Sequence, residues 1–185
     1  MLRIEALRVL AEKTVSLPVV VTCAATSREL AAVADRPNHL YLLDSMGLAG
    51  SVATGVALGV GGRVVVIEGD GSLLMNPNVL ATGGYLRPSK LLMVLLDNGV
   101  YGSTANLPTY SSRVDLGALA EAAGWTVLRA EAPDGLRAGF ARALTVNGPV
   151  FLHVRIEPGN ATDVPKLLDD PVHIGRRFAG WLASR

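Results

Sequence analysis

The sequence has a single cysteine, Cys23, among its 185 residues. One thiol cannot form an intramolecular disulfide, and it cannot build a cysteine-based zinc or iron–sulfur site. Cys23 ends the apolar run LPVVVTC, which favours a buried thiol over a reactive one. Charge is also scarce, because only 18% of residues are charged, 17 basic against 16 acidic, without a basic block. This balance argues against nucleic acid as the main partner, since phosphate neutralisation needs clustered lysines and arginines.

A long hydrophobic run and a leader-like N-terminus are also missing. The segment MLRIEALRVLAEK places Ile4, Leu7 and Ala11 at helical spacing with charges between them, which predicts an amphipathic helix. We therefore predict a cytoplasmic protein. No linker, repeat or low-complexity segment interrupts the chain, and half of its residues are apolar. These features predict a single globular domain over residues 1–185.

The chain alternates between short apolar runs and helix-like segments. We predict strands at 18–23, 39–43, 63–68, 90–96, 125–130 and 149–156, and helices at 27–34, 48–60, 78–86, 116–123 and 134–146. Asp115 and Asp134 are predicted to cap the last two helices, and Gly124 to follow the end of the helix at 116–123. Repeated strand–helix units predict an α/β fold, a doubly wound, mainly parallel sheet of about six strands with helices on both faces.

An acidic residue stands between two glycines at the end of one predicted buried strand, in Gly69-Asp70-Gly71. A buried carboxylate needs a positive partner, and ligands of such sheets bind beyond the carboxyl ends of the strands. The glycines allow close approach of a ligand, and the helix-like segment from Ser72 offers free N–H groups to a phosphate. A carboxylate beside a phosphate site is typical of Mg²⁺. Alone, however, the motif is also compatible with a simple turn.

Asp97-Asn98-Gly99 ends the next predicted strand, one helix and one strand further along the chain. Asp70 and Asn98 should therefore emerge at the same edge of adjacent parallel strands. A carboxylate and an amide carbonyl are oxygen ligands that suit a hard cation. The alternative is that Asp97-Asn98-Gly99 only forms a turn.

Together, GDGS and LLDN resemble the signature of thiamine-diphosphate-dependent enzymes. The resemblance implies that Asp70, Asn98 and the backbone carbonyl of Val100 bind Mg²⁺. It also implies that Gly71 and Ser72 hold the diphosphate. The cofactor-binding positions that it implies in these two stretches are Gly69, Asp70, Gly71, Ser72, Asn98, Val100, Tyr101 and Gly102. The family's usual first Asn is Asp97 in this sequence, whereas the metal-binding second position is intact.

The stretch LYLLDSMGLAGSVATGVALG resembles the family's cofactor-bending segment. The resemblance implies that Met46, followed by Gly47, wedges beneath thiamine diphosphate and forces its two rings into a V shape. The carbonyl of Asp44 would accept a hydrogen bond from the pyrimidine amino group, and Ser45 lies between them. The alternative is that Met46 is an ordinary core residue and that the small residues only allow close helix packing.

Enzymes of this family need a second domain that grips the pyrimidine and supplies a catalytic glutamate. The chain has room for the diphosphate-binding domain only. Glu68 and Glu29 are interpreted as structural or surface residues. The resemblance therefore implies that the glutamate comes from a partner, an α-type subunit that carries the pyrimidine-binding domain.

Three further segments, TSREL, DNGVYGST and DPVHIGRRFAGWL, resemble sulfopyruvate and phosphonopyruvate decarboxylases. The resemblance implies a β-type subunit of a heteromeric 2-oxo acid decarboxylase. Within TSREL, the residues Thr26, Ser27 and Arg28 could face the substrate or the partner, or Thr26 or Ser27 could cap a helix. The alternatives are an acetolactate-synthase-like carboligase, a split 2-oxo acid oxidoreductase, a non-catalytic nucleotide-binding module and a purely structural subunit.

Overall fold

The computed structural model describes residues 1–185, along which strands alternate with helices. The strands are β1 (Val19–Val21), β2 (His39–Tyr41), β3 (Val64–Gly69), β4 (Leu91–Asp97), β5 (Val100–Tyr101), β6 (Leu107–Pro108), β7 (Thr126–Ala130) and β8 (Val150–Arg155). The helices are α1 (Arg3–Lys13), α2 (Ala25–Ala34), α3 (Ala49–Gly59), α4 (Asp70–Met75), α5 (Asn78–Leu86), α6 (Leu116–Ala122), α7 (Pro133–Thr145) and α8 (Pro171–Ala183). None of these helices combines the length and the apolar character that crossing a lipid bilayer requires.

Six strands form one sheet in the order β2-β1-β3-β4-β8-β7, and every neighbouring pair in it is parallel. The predicted α/β fold with a doubly wound parallel sheet is confirmed. Each of the six predicted strands is present, and each end lies within two residues of its predicted position. The chain runs from β1 outward to β2 and then returns to place β3 on the other side of β1. The strand order therefore reverses at β1 and β3, where sheets of this kind leave a crevice for ligands.

Side chains that alternate along the strands divide the core into two layers. In β4, all seven residues are buried: Leu92, Val94 and Leu96 face one layer, and the intervening residues face the other. The first layer is closed by α1, α2, α7 and α8, and the second by α3, α4, α5 and α6. Because both faces are covered, the strands read as continuous apolar runs, which is why their positions were predictable from the sequence.

The helix ends agree with the predicted caps at two places and differ at two others. Asp115 caps α6 by accepting a hydrogen bond from the Ala118 N–H at 3.0 Å, as predicted. Gly124 has a φ of +92° and follows the end of α6, also as predicted. The prediction for Asp134 is wrong, because α7 begins one residue earlier, at Pro133, and its N-cap Ala132 has no capping side chain. Pro133 has no N–H to satisfy, so it suits the first helical position.

Helix α2 also begins earlier than predicted. Its N-cap is Ala24, so Thr26 and Ser27 lie inside the helix and neither of them caps it. Ala24 has a φ of +62° and a ψ of −132°, a backbone conformation that side chains other than glycine rarely adopt. This strained residue lies at the carboxyl end of β1, beside the crevice.

His39 of β2 is fully buried, and its Nε2 atom has no hydrogen-bond partner. Burial, with a contribution from nearby Arg36, lowers the pKa of His39 from 6.5 to about 4. The unfolded chain therefore binds the proton more tightly than the folded chain, and the stabilisation present above pH 6.5 is lost as the pH falls towards 4. The difference amounts to about 3 kcal/mol in the free energy of unfolding.

We expect the His39→Gln variant to flatten the pH dependence of the free energy of unfolding between pH 6.5 and 4, measured by urea titration. The matched control is His173→Gln, because His173 is exposed on α8 and makes no side-chain hydrogen bond. An unchanged pH slope in His39→Gln would show that His39 is not the buried group responsible.

Candidate functional site

A cavity opens at the carboxyl ends of β1, β3 and β4, beside the reversal of strand order. Its walls come from Arg3 of α1, residues 22–26 after β1, Met46 after β2, residues 69–72 at the end of β3, and Leu96, Asn98 and residues 100–103 near the end of β4. Nine of the twelve residues predicted to bind a cofactor line it: Met46, Gly69, Asp70, Gly71, Ser72, Asn98, Val100, Tyr101 and Gly102. Segments that are distant in the sequence are thus brought to one place by the parallel sheet.

Asp70 and Asn98 lie side by side on this cavity. Asp70 is the first residue of α4, and its Oδ1 accepts a hydrogen bond from the Asn98 N–H at 3.4 Å. The Asn98 Oδ1 accepts one from the Val100 N–H at 3.1 Å, which folds the chain back at this point. Both side chains are almost completely buried, with Asp70 3% exposed and Asn98 9% exposed. Asp70 and Asn98, which the sequence predicts to lie close together, are therefore neighbours at the carboxyl ends of β3 and β4.

The Asp70 carboxylate has no Lys, Arg or His within salt-bridge distance. Burial raises the pKa of Asp70, and neighbouring Asp97 adds to this, although the hydrogen bond from Thr109 opposes it. A buried carboxylate without a cationic side chain fits a site that a metal ion completes. No group of three or more His, Cys, Asp or Glu side chains is arranged to hold a metal. The buried carboxylate of Asp70 and the adjacent amide of Asn98 are oxygen donors that fit Mg²⁺, which takes few protein ligands and is otherwise bound by phosphate and water.

Asp97, where the family usually has Asn, faces a different set of partners. Its Oδ2 accepts hydrogen bonds from His153 Nε2 at 2.8 Å and from Arg155 Nη1 at 2.7 Å, and its Oδ1 accepts one from Ser111 Oγ at 2.8 Å. Burial on its own would raise the pKa of Asp97, but these hydrogen bonds together lower it to about 2. The Asp97 carboxylate is therefore hydrogen-bonded to His153 and Arg155 of β8. Asn98, and not Asp97, lines the cavity. His153, interpreted from the sequence as structural, is a partner of this carboxylate.

The Ser72 hydroxyl joins three of the loops around the cavity. Its Oγ accepts hydrogen bonds from Thr22 Oγ1 at 2.8 Å and from the Gly47 N–H at 2.9 Å. On its other side, Gly47 is held by Asn76, whose Nδ2 donates to the Gly47 carbonyl at 3.0 Å. Gly47 has a φ of +82°, and a Cβ there would lie 2.9 Å from the Asn76 Cβ, so only glycine fits. This loop fixes the half-buried Met46 against the cavity.

The two glycines that flank Asp70 have different surroundings. A Cβ added to Gly69 would meet no atom within 4 Å, so this side is open as the sequence predicted. A Cβ added to Gly71 would lie 2.6 Å from the ring of Tyr101, so this glycine makes room for the aromatic ring. Helix α4 begins at Asp70, two residues before the predicted start, and is only six residues long.

The structure does not bring Asp44 and Ser45 to the cavity wall. Both are exposed, and Asp44 lies in a separate depression beside Arg28 and Lys166. Gly47 does not line the cavity itself but reaches it through Ser72. The backbone roles predicted for Asp44 and Ser45 stay predictions.

Glu68 and Glu29 are both buried, so the structural part of their interpretation agrees with the structure and the surface part does not. The Gly69 N–H donates to Glu68 Oε1 at 3.2 Å, and burial raises the pKa of Glu68. Glu29 forms a buried salt bridge with Arg3 at 2.7 Å. Neither glutamate lines the cavity.

Sequence reasoning missed three polar residues of this site. Thr109 Oγ1 donates to Asp70 Oδ2 at 2.5 Å, and Ser111 Oγ, which donates to Asp97, lies 3.3 Å from the same Asp70 oxygen. They reach Asp70 because a two-stranded antiparallel ribbon, β5 with β6, carries the chain back from Val100 to a 3₁₀ turn at Tyr110–Ser112. Arg3, from the first turn of α1, is the third. No local pattern marks any of them, since Asp70 lies 39 and 41 residues from Thr109 and Ser111, and Glu29 lies 26 residues from Arg3.

The family model for the "Thiamine pyrophosphate enzyme, C-terminal TPP binding domain" matches residues 22–154. This range includes every residue that lines the cavity except Arg3. The chain belongs to this family of thiamine pyrophosphate (thiamine diphosphate) enzymes, as the resemblance predicted.

Similar proteins lie among the decarboxylases of this family. The sulfopyruvate decarboxylase subunit beta of Methanothermobacter thermautotrophicus is 47% identical over 82% of this chain and 80% of that subunit. The corresponding subunit of Methanococcus maripaludis is 36% identical over 95% of both chains. Phosphonopyruvate decarboxylase of Streptomyces viridochromogenes is 41% identical over 98% of this chain but only 46% of its own length. The chain thus matches β subunits along most of their length and about half of the longer decarboxylase.

Solved structures show the same fold at low sequence identity. Benzoylformate decarboxylase from Polynucleobacter necessarius superposes with a TM-score of 0.72 at 24% identity, over 84% of this chain and 33% of that one. The 2-oxoglutarate:ferredoxin oxidoreductase from Magnetococcus marinus gives 0.69 at 19% identity, over 87% of this chain and 62% of that one. These likenesses support the fold alone.

Proposed function

We propose that this chain is the β-type subunit of a heteromeric, thiamine-diphosphate-dependent decarboxylase. Its substrate would be a three-carbon 2-oxo acid, 3-sulfopyruvate or 3-phosphonopyruvate, which is converted to the aldehyde and CO₂. The match to β subunits along most of their length supports the two-subunit arrangement. In this proposal residues 1–185 form a single domain, the one that binds the diphosphate of the cofactor. The cytoplasmic location stays a prediction.

The observation that carries the proposal is the buried Asp70 carboxylate, which has an amide neighbour and no cationic side chain. In the proposed holoenzyme, Asp70, the Asn98 side-chain oxygen and the Val100 carbonyl hold Mg²⁺. The backbone at Gly71 and Ser72 holds the diphosphate, which completes the coordination of the metal.

When bound, thiamine diphosphate would supply the electron sink for the electron pair of the C–C bond that breaks when CO₂ leaves. The residues of this chain position the cofactor and exclude water. Met46, fixed through Gly47 and Ser72, would contact the cofactor and help to hold its rings in place. Leu96 and Val100 add apolar surface to the cavity, and a water-poor pocket favours loss of CO₂ from a charged carboxylate.

A catalytic glutamate has to reach the cofactor from outside this chain. Asp70 is the one carboxylate among the residues that line the cavity, and it is committed to the metal in our proposal. This supports an α-type partner subunit that carries the pyrimidine-binding domain and its glutamate.

The proposal is tested by co-purifying the chain with its α-type partner and supplying a panel of 2-oxo acids, with and without an acceptor aldehyde. We expect CO₂ and the corresponding aldehyde from 3-sulfopyruvate or 3-phosphonopyruvate. A carboligation product as the main outcome, or turnover only with a ferredoxin-type acceptor, would contradict the proposal. Unimpaired turnover by Asn98→Ala, compared with the exposed-site control Asn147→Ala, would instead indicate a structural subunit.

A further inference from the structure

Arg3 is the only positively charged side chain that lines the cavity. It lies in the first turn of α1, far from the family's signature motifs in the sequence, and is 6% exposed. A guanidinium held in a cofactor cavity is a fixed positive charge that attracts an anionic group, either of the cofactor or of the substrate.

Only part of the guanidinium is used by the protein. Its Nε donates to Glu29 Oε2 at 3.1 Å, and its Nη2 donates to Glu29 Oε1 at 2.7 Å and to Asn160 Oδ1 at 2.6 Å. A weaker contact joins Nη2 to the Gly159 carbonyl at 3.2 Å. The Nη1 group, with two N–H donors, makes no hydrogen bond within the chain and keeps some exposure, and the Arg3 side chain lines both this cavity and a neighbouring depression beside Glu29 and Asn160. The side chain is therefore locked in place by one edge while two donors stay free.

Thr26 offers a second free group on the same cavity. It is 6% exposed, and its hydroxyl makes no hydrogen bond within the chain. The next two residues differ from it: Ser27 Oγ donates to the Thr22 carbonyl at 2.6 Å, and Arg28 lies in the depression beside Asp44 and donates to the Val164 carbonyl. Of the three residues whose roles the sequence left open, only Thr26 lines the cavity.

We propose that Arg3 Nη1 and the Thr26 hydroxyl bind the anionic end of the substrate, its sulfonate or phosphonate group. The inference rests on the proposed function and names the residues that select its substrate. Two N–H donors on one nitrogen and a hydroxyl on the same cavity match the several acceptor oxygens of such a group. An uncharged substrate tail would leave the Arg3 donors unpaired, which is how a polar site rejects an analogue that lacks the polar group.

Arg3 is also joined to the loop that follows the metal-site residues. Asn160, which accepts from Arg3, donates through Nδ2 to the Gly102 carbonyl at 2.9 Å. Through Asn160, Arg3 is thus connected to the backbone beside Tyr101. Arg3 acts here as a specificity residue at the substrate, and Asn160 as the residue that positions it.

The test uses the complex with the α-type partner and the double variant Arg3→Gln/Glu29→Gln, which removes the buried charge pair together and leaves no unpaired charge. We expect kcat/KM for the anionic substrate to fall roughly 100-fold more than kcat/KM for pyruvate. Binding of the unreactive analogues 3-sulfopropanoate and 3-phosphonopropanoate, measured by calorimetry, should weaken by a similar factor. The wild-type preference between the two analogues indicates which anion the site takes.

Glu29→Gln alone is the matched control, because it disturbs the same buried pair but keeps the guanidinium. It should retain the preference for the anionic substrate. Thr26→Val provides a test that does not depend on the salt bridge, with an expected loss of roughly 10-fold in analogue binding. Equal losses for the substrate with the anionic tail and for pyruvate, whose tail is an uncharged methyl group, with unchanged analogue binding in both Thr26→Val and the double variant, would overturn the inference. Failure of the wild-type complex to decarboxylate either anionic substrate would instead overturn the proposed function, and analogue binding would still decide the role of Arg3.

Discussion

Asp70→Asn is expected to abolish Mg²⁺-dependent binding of thiamine diphosphate, with a loss in affinity of at least roughly 100-fold. The side chain is buried, adjoins Asn98 and has no cationic side chain to neutralise it. Removing its charge therefore removes the group that makes this end of the cavity attractive to a divalent cation. The measurement is calorimetric titration of the complex with cofactor, in the presence of Mg²⁺ and in its absence.

The same substitution should have little effect on the metal-free protein. A buried carboxylate without a counter-ion is costly, so the neutral amide should keep the free energy of unfolding within about 1 kcal/mol of wild type, or raise it. Loss of binding without loss of stability separates a ligand from a structural residue. Asp163→Asn is the matched control, because Asp163 is exposed and makes no side-chain hydrogen bond. Wild-type affinity in Asp70→Asn would remove the basis for the metal site.

Gly84→Ala is expected to destabilise the fold by about 3 kcal/mol or to prevent folding. Gly84 lies in α5, and a Cβ there would be 1.6 Å from the Ala123 carbonyl oxygen at the end of α6. This carbonyl belongs to the backbone, so it cannot move aside as a flexible side chain would. Moving it would also disturb Trp125, whose Nε1 donates to the Leu80 carbonyl at 2.8 Å.

The control for this prediction is Gly180→Ala, at an exposed glycine inside α8 whose added Cβ meets no atom within 4 Å. Alanine there should raise the free energy of unfolding by about 0.5–1 kcal/mol, because glycine is the poorer helix former. Urea unfolding followed by circular dichroism gives both values. If the two variants were equally stable, the close approach of α5 and α6 would not be a determinant of the fold.

Most of the architecture could be predicted because its causes are local. The strands are buried on both faces and so appear as apolar runs, as in Val64–Gly69 and Leu91–Asp97. The pairing of Asp70 with Asn98 also followed from the sequence, since adjacent parallel strands end at the same edge. The ends of α6 were predictable because Asp115 is a typical N-cap residue and Gly124 is typical of the position after a helix.

The parts that could not be predicted depend on partners distant in the sequence. The ribbon of β5 with β6 contains two residues in each strand, too few for a period to be visible, and it brings Thr109 to Asp70. Arg3 reaches the cavity because α1 packs against α2 and Glu29 holds the guanidinium. Arg28, the more obvious arginine in the motif, lies outside the cavity because its position on α2 directs it to Val164.

The cavity walls are drawn from chain segments that meet only after β1, β3 and β4 have assembled side by side. No fragment shorter than this assembly can present these walls together, so a coenzyme bound here would stabilise the folded chain and not the unfolded one. At a free concentration 100-fold above its Kd, such a ligand adds about 2.7 kcal/mol to the free energy of unfolding. The concentration of thiamine diphosphate would then affect the rate at which the protein is degraded by proteases, in addition to its rate of turnover.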